Sequence, residues 1–154
     1  MRLWAALYAA IWIVLLQFLL AMIPFGQPYL LVGHYVLGVA IIAVAYSNFI
    51  SLRRTTAPGR LKRTAVATFY ISILNGFLGA LLLLNVGAGW RVFDGISVWN
   101  GILFLHVINA FAIITQMAAV AVAYDMWEEK EFLQDTRPGE IPRMAGQPKP
   151  KPGP

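Results

Sequence analysis

Four long runs of predominantly apolar residues are separated by three short breaks. The first runs from about Leu3 to Ile23 and ends at Pro24, with Gly26 and Pro28 following. The second runs from about Tyr29 to Leu52. The third runs from about Thr64 to Val86 and stops at the glycines of "GAGW". The fourth runs from about Ser97 to Trp127. A spanning helix needs about 20 mostly apolar residues, so all four qualify. The fourth is longer than a bilayer requires and is expected to tilt or to project into water. The first is too long for a signal peptide, and no small-x-small cleavage pattern follows at "MIPFG". The pattern predicts an all-α integral membrane four-helix bundle over residues 1–127, built as two tandem helical hairpins.

From Asp125 the composition changes to "DMWEEKEFLQDTRPGEIPRMAGQPKPKPGP". The fourth helix is expected to continue for a turn or two, with Pro138 as a stop. Residues 128–154 read as a largely disordered, Pro- and Gly-rich tail.

Composition supports the membrane reading. Hydrophobic residues make up 59% of the 154-residue chain and charged residues 12%, about half the usual charged share of a soluble domain. A soluble fold of this size could not hide so much apolar surface. Cysteine is absent, which excludes disulfides, thiolate metal sites and cysteine nucleophiles. No glycine-rich phosphate loop and no nucleophile paired with a base is present, so the chain is not read as an enzyme by itself.

The formal charge of +5 does not point to nucleic acid, because the basic residues are not on a soluble domain. They cluster in "SLRRTTAPGRLKRT", which holds Arg53, Arg54, Arg60, Lys62 and Arg63 and no acidic residue. The other two breaks carry only Arg91 and Asp94. By the positive-inside rule, the basic loop and both termini are expected on the cytoplasmic side, as in a prokaryotic cytoplasmic membrane. Tyr29, Trp90 and Trp99 suit an outer interfacial belt, and Trp4 and Trp127 an inner one.

Two of the apolar runs open alike. "HYVLGVAII" begins at His34 and "HVINAFAII" at His106, and these are the only two histidines. The preceding helices match as well, with "IVLLQFLLA" around Gln17 and "ISILNGFLG" around Asn75. Each hairpin thus has an amide-bearing helix followed by a histidine-bearing helix. As parallel repeats about an axis along the membrane normal, they would place His34 and His106 face to face. His34 lies about five residues inside its helix, or ~7 Å, and His106 about eight, or ~12 Å, both counted from the outer end.

An ionisable residue within a bilayer is a functional candidate by default. A neutral imidazole is a good metal ligand, and two opposed at one depth suit bis-histidine coordination of haem iron. A flat macrocycle needs small residues one turn along each ligand helix. Those residues are Gly38 and Ala110, followed by Ile41 and Ala45, and by Ile113 and Met117. Arg91 is the cationic candidate for a propionate, with Trp90, Trp99 and Tyr29 as further donors. Asn109 could orient an imidazole or bond across helices. Gln17 and Asn75 read as interhelical hydrogen-bonding groups, and Gly76, Gly79 and Ala80 as sites of close helix approach. The histidines could also be structural, or could handle protons, a quinone or another metal.

Several of these features resemble a family of small four-helix prokaryotic membrane proteins with no assigned function. The shared marks are Gln17 on the first helix, "HYVLG" opening the second and "LHVINA" opening the fourth. The likeness covers roughly residues 3–124 and implies His34 and His106 as the functional pair. More distantly, the chain is similar to four-helix b-type cytochromes and to half-length haem A synthases. The latter carry a glutamate four residues before a ligand histidine, where this chain has Leu30 and Ile102. The resemblance therefore implies electron transfer rather than chemistry on the haem.

The resulting expectation is a haem b protein near the outer face, serving electron transfer or a larger redox complex. Its partners would be the lipid bilayer and a redox protein or quinone, in a homo- or hetero-oligomer. The alternatives are a cofactor-free membrane scaffold, or a quinone- or proton-handling subunit.

Overall fold

The computed structural model describes residues 3–23 and 28–135. Four helices form the bundle: α1 (Leu3–Met22), α2 (Pro28–Arg53), α3 (Gly59–Leu83) and α4 (Val98–Asp135). A two-stranded antiparallel sheet, β1 (Arg91–Phe93) and β2 (Ile96–Ser97), lies between α3 and α4. Each helix is long and apolar enough to cross a membrane. The predicted stop at Pro24 and Gly26, the Pro138 stop and the tail beyond Asp135 lie outside the described residues.

The helices pack as neighbours in chain order: α1 with α2, α2 with α3, α3 with α4, and α4 with α1. This square puts α1 opposite α3 and α2 opposite α4. The outward faces are greasy, with Trp12 69% and Phe104 63% exposed among many others. This is the surface of an integral membrane protein, facing lipid rather than water. Association within it rests on close packing and polar contacts, because lipid tails are as apolar as the helices.

The apolar core is not evenly spread. One buried cluster sits at the end bearing the basic turn, around Leu7, Leu52, Leu61, Val120 and Tyr124. A second sits mid-bundle, with Ala10, Val14, Ile41, Ala45, Ile113 and Met117. These include all four apolar residues expected to follow the histidines. Between α3 and α4, Thr68 Oγ1 donates to Gln116 Oε1 at 2.9 Å. Such a contact within a membrane is worth about 0.6–2 kcal/mol. Towards the opposite end, here the hairpin end, this packed core gives way to the polar residues of the histidine cluster.

Two boundaries differ from the sequence reading, both for local reasons. Helix α3 starts at Gly59 rather than near residue 64. Pro58 enters with φ −55° and ψ 143°, and its carbonyl accepts from the Leu61 and Lys62 amides. Lysine and arginine are good helix formers, so the basic residues extend the first turns instead of forming a loop. Lys62 Nζ also donates to the Thr55 carbonyl at 2.6 Å, just past the end of α2, where a cation is favourable.

Helix α3 ends at Leu83 rather than Val86. Asn85 adopts φ 53°, its amide bonds to the Leu82 carbonyl, and the Val86 amide reaches back to Leu81. This is a Schellman termination with asparagine in the left-handed position.

The sheet was not foreseen, yet its signals are local. Asp94 and Gly95 form the turn, Gly95 at φ 80°, and "DG" is a strong hairpin dipeptide. Ser97 and Asn100 then form a reciprocal capping box for α4. Asn100 Oδ1 accepts from the Ser97 amide at 3.0 Å, and Ser97 Oγ accepts from the Asn100 amide at 3.3 Å.

Gly87 locks this layer to α4. It has φ 76°, and a Cβ there would lie 2.6 Å from Val98 Cβ. Gly87→Ala is therefore expected to destabilise the fold by roughly 1–3 kcal/mol from backbone strain alone, before the clash is counted. Thermal unfolding of the purified protein should show a Tm several degrees lower. An unchanged Tm would mean the link is not held as described.

Candidate functional site

The interior at the hairpin end is polar. Gln17 on α1, His34 on α2, Asn75 on α3 and His106 on α4 meet there, one from each helix. His34 and His106 stand on opposite helices of the square, yet their ring centres are 6.4 Å apart with planes inclined at 54°. Both rings therefore reach the middle of the bundle. Each lies seven residues from a core isoleucine on its own helix, Ile41 or Ile113, which puts both at one level on inward faces.

His106 is held by a backbone carbonyl on α3. His106 Nδ1 lies 3.1 Å from the backbone carbonyl of Asn75. A carbonyl only accepts, so Nδ1 carries the proton and Nε2 keeps its lone pair. The backbone of Gln17 is the corresponding polar neighbour of His34. Within the second hairpin, the ring on α4 thus sits at the peptide of the amide-bearing residue on α3.

Gly79 makes the contact on α3 possible. A Cβ there would stand 3.2 Å from His106 Cε1 and 3.7 Å from Nδ1. The sequence reading gave Gly79 only a packing role. Its spacing of four from Asn75 could have revealed more, since the two residues share a helix face. Ala21 holds the same place relative to Gln17. Gly76 does serve close approach, facing Ile42 Cδ1 of α2 at 3.0 Å from its Cβ position.

The amide side chains do not behave as interhelical glue through their oxygens. Gln17 Oε1 and Asn75 Oδ1 are both buried without a hydrogen-bond partner. A buried acceptor left unmade costs roughly 1–3 kcal/mol.

The remaining predicted site residues are placed as follows. Gly38 is half-buried, and a Cβ there would lie 3.6 Å from Gln17 Nε2, an ordinary contact. Gln17 thus occupies the space that Gly38 leaves. Asn109 and Ala110 are half-buried on α4 beside His106. Arg91 is exposed on β1, paired with Ser97, in the layer beyond the helix ends. Trp90 and Tyr29 are each 68% exposed. Trp99 Nε1 donates to the Leu82 carbonyl at 3.4 Å, so it ties α4 to α3 and its one donor is already used.

The spacing of the imidazoles limits what can lie between them. A metal–imidazole bond is about 2.0–2.1 Å and a nitrogen lies about 1.1 Å from its ring centre, so one metal shared linearly sets the centres about 6.3 Å apart. A direct hydrogen bond between facing rings would set them nearer about 5.1 Å. A quinone ring hydrogen-bonded on both sides would need well over about 8 Å. The observed centre separation of 6.4 Å is closest to the first of these lengths. Among the described residues, no group of three or more histidine, cysteine or carboxylate side chains could hold a metal.

No family model, curated protein or solved structure matches this chain.

Proposed function

We propose that the protein binds one b-type haem at the hairpin end, with His34 and His106 as the axial ligands. The observation that carries this reading is the convergence of two imidazoles from opposite helices at 6.4 Å. Two ligands are too few for a bare zinc or copper site. They suffice for an iron whose four equatorial ligands come from a macrocycle, which would supply a one-electron redox couple.

This chain's own contribution is positioning. The Asn75 carbonyl fixes the His106 tautomer and leaves Nε2 as the ligating nitrogen. Gly79 seats that ring against α3. Gly38 and Ala110 provide small faces one turn along, and the Gln17 side chain must swing aside from Gly38. The apolar layer of Ile41 and Ile113 closes the site below and keeps it dry. Arg91 and Asn109 are the polar residues assigned to the periphery. The protein then serves electron transfer, alone or as the cytochrome subunit of a redox complex in a prokaryotic cytoplasmic membrane, with both termini inside.

A second reading draws on the buried oxygens of Gln17 and Asn75. A macrocycle offers them no donor, whereas a water between the imidazoles would. In that case the cluster handles protons or simply joins the helices, without a cofactor.

One spectrum separates the two. Full-length protein purified from haem-sufficient cells is expected to show a Soret band, and sharp α and β bands after dithionite. Pure protein lacking these bands, and failing to gain them when titrated with haemin, would refute haem binding and leave the proton-handling or scaffold reading.

A further inference from the structure

A second site lies at the other end of the bundle. A groove of about 250 Å³ opens there between the start of α3 and the second half of α4. Its floor is Leu61 and Val120, both buried. Thr64, Ala119, Ala123 and Arg60 also line it. Arg60 is in the first turn of α3, and Thr64 is one turn deeper on the same face. On α4, Ala123 and Ala119 descend in the opposite direction at the same spacing. The groove therefore runs along the bundle axis, with a cation at one end and an apolar channel below it.

Charge complementarity decides the occupant. Arg53, Arg54, Arg60, Lys62 and Arg63 gather around this end within eleven residues, with no acidic residue among residues 51–64; α4 adds Asp125, Glu128, Glu129, Glu131 and Lys130 at the same end, so six cations there face four carboxylates and the excess is still basic. Lys62 is committed to the Thr55 carbonyl, and Arg53 lies over the Phe49 ring at 5.5 Å. Arg60 is exposed and lines the groove. The groove itself opens on the lipid-facing surface of α3 and α4. A molecule that is anionic at one end and carries a long apolar chain fits both features, and the bilayer supplies one. Water-soluble anions match only the cationic end. A neutral lipid matches only the channel.

We propose that this groove is a binding site for one anionic phospholipid, its phosphate on Arg60 and one acyl chain laid along Thr64, Ala119 and Ala123. Basic recesses between helices on the cytoplasmic side are the places where such head groups are held. The site is independent of the histidine pair. It fastens the α3–α4 hairpin at the level where the basic turn meets the membrane.

Native mass spectrometry of the full chain tests it, with dioleoylphosphatidylglycerol and dioleoylphosphatidylcholine added separately at equal concentration. One retained phosphatidylglycerol per chain is expected, several-fold above phosphatidylcholine. Arg60→Gln should lower that retention about fivefold, as the loss of one basic contact near a membrane surface predicts. Arg54→Gln, which lies outside the groove, should change it far less. Ala123→Leu keeps every charge but fills the channel, and should lower retention as much as Arg60→Gln. Equal retention of the two lipids would overturn the proposal. So would equal losses from Arg54→Gln and Arg60→Gln, which would mean a diffuse basic surface. Retention unaffected by Ala123→Leu would do the same for the acyl seat.

Discussion

His34→Ala and His106→Ala, made singly, are each expected to abolish the low-spin bis-histidine spectrum. On the haem reading, truncation removes one of the two protein ligands, and among the described residues no thiol or nearby thioether replaces it. Cysteine is absent from the chain. The core methionine on α4, Met117, is buried in the mid-bundle cluster, eleven residues from His106. Groups that merely orient a metal ligand cost about 10–100-fold in affinity when removed, so losing a ligand should cost more than about 100-fold. Protein from haem-sufficient cells should then carry little haem, and what remains should be high-spin.

Added imidazole gives the control. The space left by either truncation is lined by polar and small residues, so free imidazole should enter and restore part of the low-spin spectrum. Helicity by circular dichroism should be unchanged, because both apolar clusters lie elsewhere in the bundle. A normal low-spin spectrum in either variant would refute the ligand assignment. Haem lost from one variant and kept by the other would point to a single-histidine site.

Much of the architecture was legible because a bilayer demands long apolar runs. Four runs in the chain became four helices, with ends shifted by five residues or fewer at α3. The shifts have local causes. A reading based on hydropathy stops at the first charge, whereas Pro58, Arg60 and Lys62 are all compatible with a first helical turn. At the other end, Asn85 in the left-handed region stopped α3 before the glycines could.

The repeated motif placed the histidines at a common level, and the packing of α2 opposite α4 brings the rings together. Their supports were harder to read. The partner of His106 is a backbone carbonyl, which every residue has, so no side chain announced it. Gly79 reads as one small residue among many until the ring that lies against it is known. The amides of Gln17 and Asn75 looked like helix-to-helix bonds, since that is their usual use in a membrane. Their buried oxygens are instead left without partners at the site. The groove at Arg60 was invisible for a related reason, since it needs the register of α3 against α4.

Gly79→Leu should damage the site as severely as any change outside the two ligands. Even a Cβ at this position would stand 3.2 Å from His106 Cε1, closer than ring and methyl carbons normally approach. The ring cannot slide freely to relieve the contact, because its Nδ1 is tied to the Asn75 carbonyl at 3.1 Å on the same helix face. Leucine adds three further carbons and must push the imidazole off that carbonyl and out of line with His34. Haem affinity is expected to fall by about 10–100-fold, the usual cost of losing the group that orients a metal-bound histidine. Gly79→Ala should show a smaller loss in the same direction.

Gly76→Ala supplies the contrast on the same helix. Its Cβ would meet Ile42 Cδ1 at 3.0 Å, the tip of a flexible side chain that can rotate away. That variant should bind haem normally. In haem-free protein, Gly79→Leu should still shift the His106 imidazole ¹⁵N resonances, because the Nδ1–H bond to Asn75 is broken whether or not a cofactor is present. Unchanged resonances together with unchanged haem affinity would show that α3 does not position His106.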